Sequence, residues 1–344
     1  MPERLIRSIL IASCALLLSG CTSLSLYLLD RRLGLTPDAA AQPVAPEVRQ
    51  QMDREFAAGA QALARNDLDA AIAAWRDYAR VAPPHVPQAR QVGGWLTLLE
   101  RESARRFAAQ AVASERAGRY APTDRRHVAV FPLQNRGPNA ASDPFNRALL
   151  AMITTDLAQV PSLTVLERER IDEVLRELRL AASGLVDATA QAPPARVLGA
   201  GSVVAGSIFN EPGPAGPGSG RYAIATAVSD VASARIVGSQ QADGRQDEFY
   251  LLEKQIVRAI LDALGIQEIP PAVERIHTRS WAAYARFASG LALLAQDRFD
   301  EARRAFHAAL EFDPGFALAQ QAFVATPGKP ATLAEIEAEA RAQR

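Results

Sequence analysis

The side chains able to do chemistry are few and scattered. His85, His127, His277 and His307 fall in separate segments, none spaced to share a helix face as metal ligands do. Neither an H-E-x-x-H helix motif nor a G-x-S-x-G nucleophile elbow occurs. Asp156, Asp187 and Asp230 each stand singly and read as capping or turn residues. Gly199-Ala-Gly201 follows a helix pattern and precedes a strand pattern, whereas a dinucleotide loop needs the reverse order. The proline- and glycine-rich stretch 211–220 lacks the lysine and the following helix of a phosphate loop. No catalytic, cofactor-binding or metal-ligating set emerges, so the expectation is a protein without enzyme activity, cofactor or metal. The one reactive position is a thiol, Cys21.

Cys21 ends a leader in which Arg4 and Arg7 precede the apolar run Ile9–Leu18. That run is too short to cross a bilayer, and the pattern is that of a secretory signal. Its end, Leu18-Ser19-Gly20-Cys21, resembles the lipobox of bacterial lipoproteins. The resemblance implies a diacylglyceryl group on the Cys21 thiol, cleavage before it, and acylation of the new N-terminus. Three acyl chains at about 0.8 kcal/mol per buried CH₂ make a near-permanent anchor. Thr22, not aspartate, follows the cysteine; by the same resemblance this implies sorting to the outer membrane, on its periplasmic face. Cys14 leaves with the signal, so the mature chain has no disulfide.

Composition narrows the partners. Lys and Arg together number 38, as do Asp and Glu, which leaves no electrostatic case for nucleic acid. Lys254 and Lys329 are the only lysines. Apolar residues make up 49% of the 344, enough to bury the cores of two or three domains. After Cys21 no apolar run reaches the roughly 18 residues of a membrane helix.

Elements must position whatever function this chain has, and they fall into blocks. Residues 1–20 are the signal, and 21–47 a lipidated tether kept extended by Pro37, Pro43 and Pro46. Residues 48–120 are helical. Phe56, Ala60 and Leu63 share one face; after a turn at Asn66-Asp67, Ala71, Ile72, Trp75 and Tyr78 share another. A long helix from about Pro87 to Ala117 follows. Residues 278–325 repeat the design, with a turn at Gln296-Asp297-Arg298, and 326–344 form a C-terminal helix or tail. Counted from the glycine, Gly59 is followed by Ala71, Trp75 and Pro83, and Gly290 by Ala302, Phe306 and Pro314, at identical offsets. Phe299 and Ala309 complete the second copy; the first has Leu68 and Tyr78 in their places. Both copies resemble the tetratricopeptide repeat, in which a small residue lets two helices approach and an aromatic side chain fills the gap. A single such unit cannot bury its own faces, so each must lean on a neighbouring helix or on the middle domain.

Residues 126–267 between them alternate strand and helix patterns in the order β-α-β-α-α-β-β-β-α. His127–Leu133 reads as a buried strand, and Asp143 as the N-cap of a helix to Gln159. Leu163–Leu166 reads as a strand, and Arg168–Ala182 as an amphipathic helix with outward i,i+4 pairs such as Asp172–Arg176. A short helix over Ala188–Leu198 precedes strands at Ser202–Phe209, Tyr222–Val228 and Arg235–Gln240, and Gln246–Leu264 closes as a helix. This segment resembles the CsgG family, whose namesake is the outer-membrane secretion lipoprotein of curli assembly. The resemblance rests on Val128-Ala-Val-Phe-Pro132, Ile153-Thr-Thr-Asp-Leu157, Leu166-Glu-Arg-Glu-Arg-Ile-Asp-Glu-Val-Leu175, Ser183-Gly-Leu-Val-Asp187, Ala205-Gly-Ser-Ile208 and Val228-Ser-Asp-Val231. Ala234 stands where the family's hairpin turn commonly has glycine.

The resemblance implies an α/β (α+β) three-layer CsgG-like domain flanked by all-α tetratricopeptide-like helical hairpins. It also implies protein partners in the cell envelope, with self-association as one option. The namesake's subunits each give two hairpins to a shared barrel, and a barrel strand takes about 9–11 residues. Here the insertion points, between Ile208 and Tyr222 and between Ser239 and Leu251, are short and rich in proline, glycine or polar residues. The expectation is a periplasmic scaffold or accessory in envelope assembly or curli-type secretion. A secretion-channel component and a regulator of a peptidoglycan synthase stand as alternatives.

Overall fold

The computed structural model describes residues 27–36, 38, 42–119, 124–137, 145–179, 188–211, 213 and 219–343. Asp143, Asp187, the Ser183–Asp187 stretch and Cys21 lie outside them. Two compact units form: Met1–Leu96 with Val324–Arg344, and Thr97–Phe323. The 278–325 hairpin is thus part of the same unit as the α/β domain, and the C-terminal residues belong with the N-terminal ones.

In the first unit a short helix α1 (residues 27–32) precedes α2 (Pro46–Ala64), α3 (Leu68–Val81) and the start of α4 (Pro87–Arg116). Asp67 caps α3 by accepting from the Ala70 amide at 3.1 Å. Phe56, Trp75, Tyr78 and Trp95 interlock at the centre, with the Trp75 and Trp95 rings 5.2 Å apart. The first hairpin therefore leans on α4, as a lone helical pair must. The last helix of the chain, at Leu333–Ala342, packs on α2; Thr332 and Glu335 start it with a reciprocal capping box. The expected tether is partly built into the fold. Leu29 and Leu33, one helical turn apart, are buried, and the Arg90 guanidinium donates to the Leu33 carbonyl at 2.7 Å.

In the second unit a mixed sheet lies between two helical layers. Its strands are β1 (Asp124–Val130), β2 (Gln134–Asn135), β3 (Thr164–Val165), β4 (Ala200–Glu211), β5 (Arg221–Asp230) and β6 (Arg235–Arg245). They run β3-β1-β4-β5-β6, with β2 also on β4; β1 pairs parallel with β3 and β4, while β4, β5 and β6 are antiparallel. The pleat divides the core as the alternation demands. Val128, Val130, Val204, Ile208, Tyr222, Ile224 and Val228 pack on α5 (Phe145–Leu157) and α8 (Phe249–Ala263). Ala129, Phe131, Val203 and Ala205 pack on α6 (Arg168–Glu177), α7 (Ala188–Val197) and the end of α4, through Ala108 and Val112. The α/β domain thus begins within α4, earlier than the sequence boundary at residue 126, because the last turns of that helix supply a layer of its core.

The expected element order holds, with β2 added. The largest difference is β6, which continues five residues beyond Gln240. Its helix-facing positions are Gly238, Gln240, Ala242 and Gly244, paired with Val228, Thr226, Ile224 and Tyr222. A Cβ on Gly238 would stand 2.4 Å from the Ala263 Cβ, and one on Gly244 3.1 Å from Leu252. Close seating of α8 demands small residues there, and small polar residues do not read as a strand. The outward pairing on α6 also differs. Asp172 pairs with Arg168 and Arg176 with Glu173, because Arg168 lies between the Arg147 carbonyl and Asp172.

After α8 come α9 (Trp281–Leu294), α10 (Phe299–Phe312) and α11 (Ala317–Ala325), and α12 names the last helix, Leu333–Ala342. The second hairpin leans on the sheet domain: α9 packs on α5, Tyr284 donates to the Phe145 carbonyl at 2.7 Å, and Phe145, Tyr222, Phe249, Trp281 and Tyr284 form one aromatic cluster.

Candidate functional site

The two hairpins repeat each other in the backbone of the turn that joins their helices. In the first, the amide of Asp67 reaches the Ala62 carbonyl at 3.0 Å; in the second, Arg298 reaches Leu293 at 3.1 Å, at the same offset from the glycine. Both turns pass through a non-glycine residue at positive φ, Asn66 at 57° and Asp297 at 58°, again at matching positions. Gly59 lies under Trp75, where a Cβ would meet the indole nitrogen at 2.1 Å; Gly290 lies under Phe306, where it would meet the ring at 2.4 Å. Ala71, Ala302 and Ala309 are fully buried between the paired helices, and Phe299 is buried at the start of α10. Asp297 also binds the Arg101 guanidinium of α4 at 2.6 Å, which fixes the second turn to that helix. Pro83 and Pro314 follow the ends of α3 and α10, where the missing amide stops each helix.

The structure also assembles a polar centre that the sequence reading did not find. Asp156 on α5 is not a single capping residue. It is buried, accepts from Lys254 of α8, and lies 3.0 Å from His277 Nε2. Lys254 also donates to the Val273 carbonyl at 2.8 Å and stands 3.4 Å from Glu253 Oε2. Burial opposes ionisation of Asp156, but hydrogen bonds from His277, Glu253 and Lys254 outweigh it and hold its carboxyl below the usual range. Glu253 behaves oppositely. It is fully buried, neither oxygen meets a donor as a carboxylate, and burial, then the neighbouring Asp156, push its carboxyl well above the usual range. A proton on Glu253 supplies the donor that Asp156 can accept.

Asp156, Glu253 and His277 each place a ligand atom within 4.8 Å of the others, a donor set that suits a divalent cation. The Lys254 ammonium already stands among them and supplies the positive charge itself. The arrangement therefore fits a charge-balanced brace between α5, α8 and the segment leading to α9. A usable signal was present. Glu253 lies on the same stripe of α8 as Ile256, Val257 and Ile260, and Asp156 on the stripe of Leu149 and Ile153, and an acid on an apolar stripe wants a partner. His307 reaches Glu311 one turn along α10 at 3.3 Å, and His127 lies within β1.

The strand connections bear on any barrel. β4 and β5 pair as far as Glu211 with Arg221, leaving residues 212–220 to join them. Arg245, the last residue of β6, runs directly into a 3-10 turn at Gln246–Glu248 and then α8. Asp230 accepts from the Ser233 amide and hydroxyl at 2.8 and 2.7 Å, closing the β5–β6 turn as its sequence setting suggested. Among the described residues no helix is long and apolar enough to cross a membrane.

Residues 109–237 match the family model described as the curli production assembly/transport component CsgG. The match starts in the last turns of α4 and ends in β6, so it takes in most of the sheet and one helical layer. No curated protein matches the chain. Among solved structures, lipoprotein GNA1162 from Neisseria meningitidis is similar over 41% of this chain and 98% of its own, at 15% identity and a TM-score of 0.30. Over residues 109–237, which hold most of the sheet, this chain is thus similar to the CsgG family.

Proposed function

We propose that this chain is a non-enzymatic lipoprotein, anchored through Cys21 to the periplasmic face of the outer membrane, that acts as a scaffold or accessory in envelope assembly or curli-type secretion. The observation that carries the reading is a CsgG-like domain whose strands are spent on its own sheet. β4, β5 and β6 pair along their lengths, and residues 212–220 cannot supply two further strands of about 9–11 residues each. The glycine-under-aromatic hairpins fit tetratricopeptide-like units, which offer surfaces to partner segments. The leader and Cys21 supply the anchor. This reading leaves the domain a docking role and gives conduction to other proteins.

Proximity labelling from the acylated protein in its native host tests the reading. Envelope-assembly or secretion proteins should dominate the labelled set. Purified protein should carry no current across a planar bilayer; steady single-channel conductance would instead favour a channel component. Cys21→Ala should release a folded protein from the outer membrane, and full retention after signal removal would overturn the anchor.

A further inference from the structure

The first described residues after Cys21 fold against the first unit and leave one face outside. Leu29 and Leu33 point inward and are buried, and the Arg90 guanidinium holds the carbonyls of Leu33 and Gly34 at 2.7 and 3.3 Å. Gly34, at φ 73°, turns the chain where any Cβ would strike the His85 backbone at 2.7 Å. Helix α1 is therefore fixed to the body. Tyr27 and Leu28 on its other side are 46% and 54% exposed, and Leu35, just past its end, is 45% exposed. Eight large hydrophobic side chains are exposed among the described residues, and these three fall within nine positions of one another. Arg31 and Arg32 flank Leu28 on the outer side and are exposed.

We infer that the exposed surface formed by Tyr27 and Leu28 of α1, by Leu35 just past its end, and by Arg31 and Arg32 is a membrane-contact surface that seats the first unit on the lipid bilayer. The inference rests on lipidation of Cys21. Five residues separate Cys21 from Tyr27, and a chain of that length reaches at most about 20 Å. The acyl chains therefore hold the α1 face within a Debye length or two of the headgroups, whatever course those residues take. Side-chain chemistry then selects the occupant. Leucine favours the acyl boundary, tyrosine favours the interface with its hydroxyl toward water, and arginine favours anionic headgroups. Tyr27 and Arg31 both reach Asp38, at 3.4 and 3.2 Å, which keeps the polar ends on one side of the patch. Three such side chains bind a bilayer weakly alone. Beside a permanent anchor they set orientation, because the second contact becomes intramolecular.

The mature chain has no cysteine other than the acylated one, so a reporter thiol is unique. Acylated protein carrying Leu28→Cys or Leu35→Cys would be labelled with an environment-sensitive fluorophore. It would then be reconstituted into phosphatidylethanolamine–phosphatidylglycerol vesicles containing a shallow spin-labelled lipid. Mass spectrometry and vesicle flotation first establish acylation and binding. The expected result is a blue shift and quenching several-fold stronger than in a Cys21→Ser counterpart carrying the same label. Adding Leu28→Glu to the Leu35→Cys protein should return its label to the solution value while flotation persists. Labels that stay water-exposed on floated protein overturn the inference and leave the anchor intact. Labels shielded from water yet unquenched by lipid also overturn it, and assign the face to a protein contact. Failure of acylation or flotation overturns both this inference and the anchor on which it rests.

Discussion

Lys254 donates from α8 to Asp156 on α5, across 98 residues of chain, with neither side chain open to solvent. Removing one member of such a pair leaves the other charge buried and uncompensated, at a cost of about 3–5 kcal/mol. Lys254→Met should therefore lower unfolding stability by that order in urea titrations. Replacing both members with Asp156→Leu and Lys254→Met should cost clearly less than the sum of the single changes, since no charge is then stranded. Additive losses would mean that the pair is not coupled.

Glu253 gives the brace a pH signature. Its folded carboxyl is raised, so the folded state holds a proton that the unfolded state releases above its ordinary value of 4.5. The stabilisation is fully present below that value and fades as pH rises toward the raised one, at up to about 1.4 kcal/mol per pH unit. Asp156, held below 3.8, acts in the opposite sense and contributes stability that is lost as pH falls through its depressed value. Glu253→Gln keeps the shape and removes the titration. The stability difference between wild type and Glu253→Gln should thus shift in favour of the variant from about pH 4.5 upward. A pH-independent difference between the two would show that Glu253 is ionised in the fold.

How far the sequence disclosed this depends on which residues carry local patterns. The strands of the sheet centre announce themselves, because Val128, Ala129 and Val130 are buried on both sides and because β5 alternates large residues with alanine. The hairpins do so through spacing alone: Gly59 and Trp75 must meet for the helices to close, and so must Gly290 and Phe306. The second half of β6 was hidden, since contact with α8 selects Gly238, Ala242 and Gly244 against strand propensity. The polar centre was hidden for another reason. Asp156, Glu253 and His277 lie far apart along the chain, and only the packing of α5 on α8 brings them together. Docking of α1 depended on the burial of Leu29 and Leu33, which a two-leucine pattern does not reveal.

The glycine-to-aromatic contacts predict equal sensitivity in two separate units. Gly59→Ala and Gly290→Ala would each gain helix propensity, worth up to about 1 kcal/mol. Each would also push a fully buried aromatic ring from its seat, which costs about 1–3 kcal/mol or more. The net should be destabilising at both sites. Because the chain forms two units, the loss from Gly59→Ala should appear in hydrogen exchange of α2 and α3, and that from Gly290→Ala in α9 and α10. A neutral or stabilising result at either position would remove the basis for treating the hairpins as equivalent.

Ala234 closes the β5–β6 turn at φ 52°, a left-handed conformation in which its Cβ crowds the following carbonyl. The strain is about 1–2 kcal/mol, and glycine would relieve it while regaining about 0.4–1 kcal/mol of unfolded-state freedom. Ala234→Gly should therefore stabilise the sheet unit by roughly 0.5–1 kcal/mol, read as a rise in denaturation midpoint with unchanged slope. The gain should depend on the turn being held by Asp230, whose carboxylate accepts twice from Ser233. In an Asp230→Ala background the turn loses that clamp and can relax away from positive φ, so the benefit of glycine should shrink. A full and undiminished gain in that background would place the strain elsewhere than in this turn.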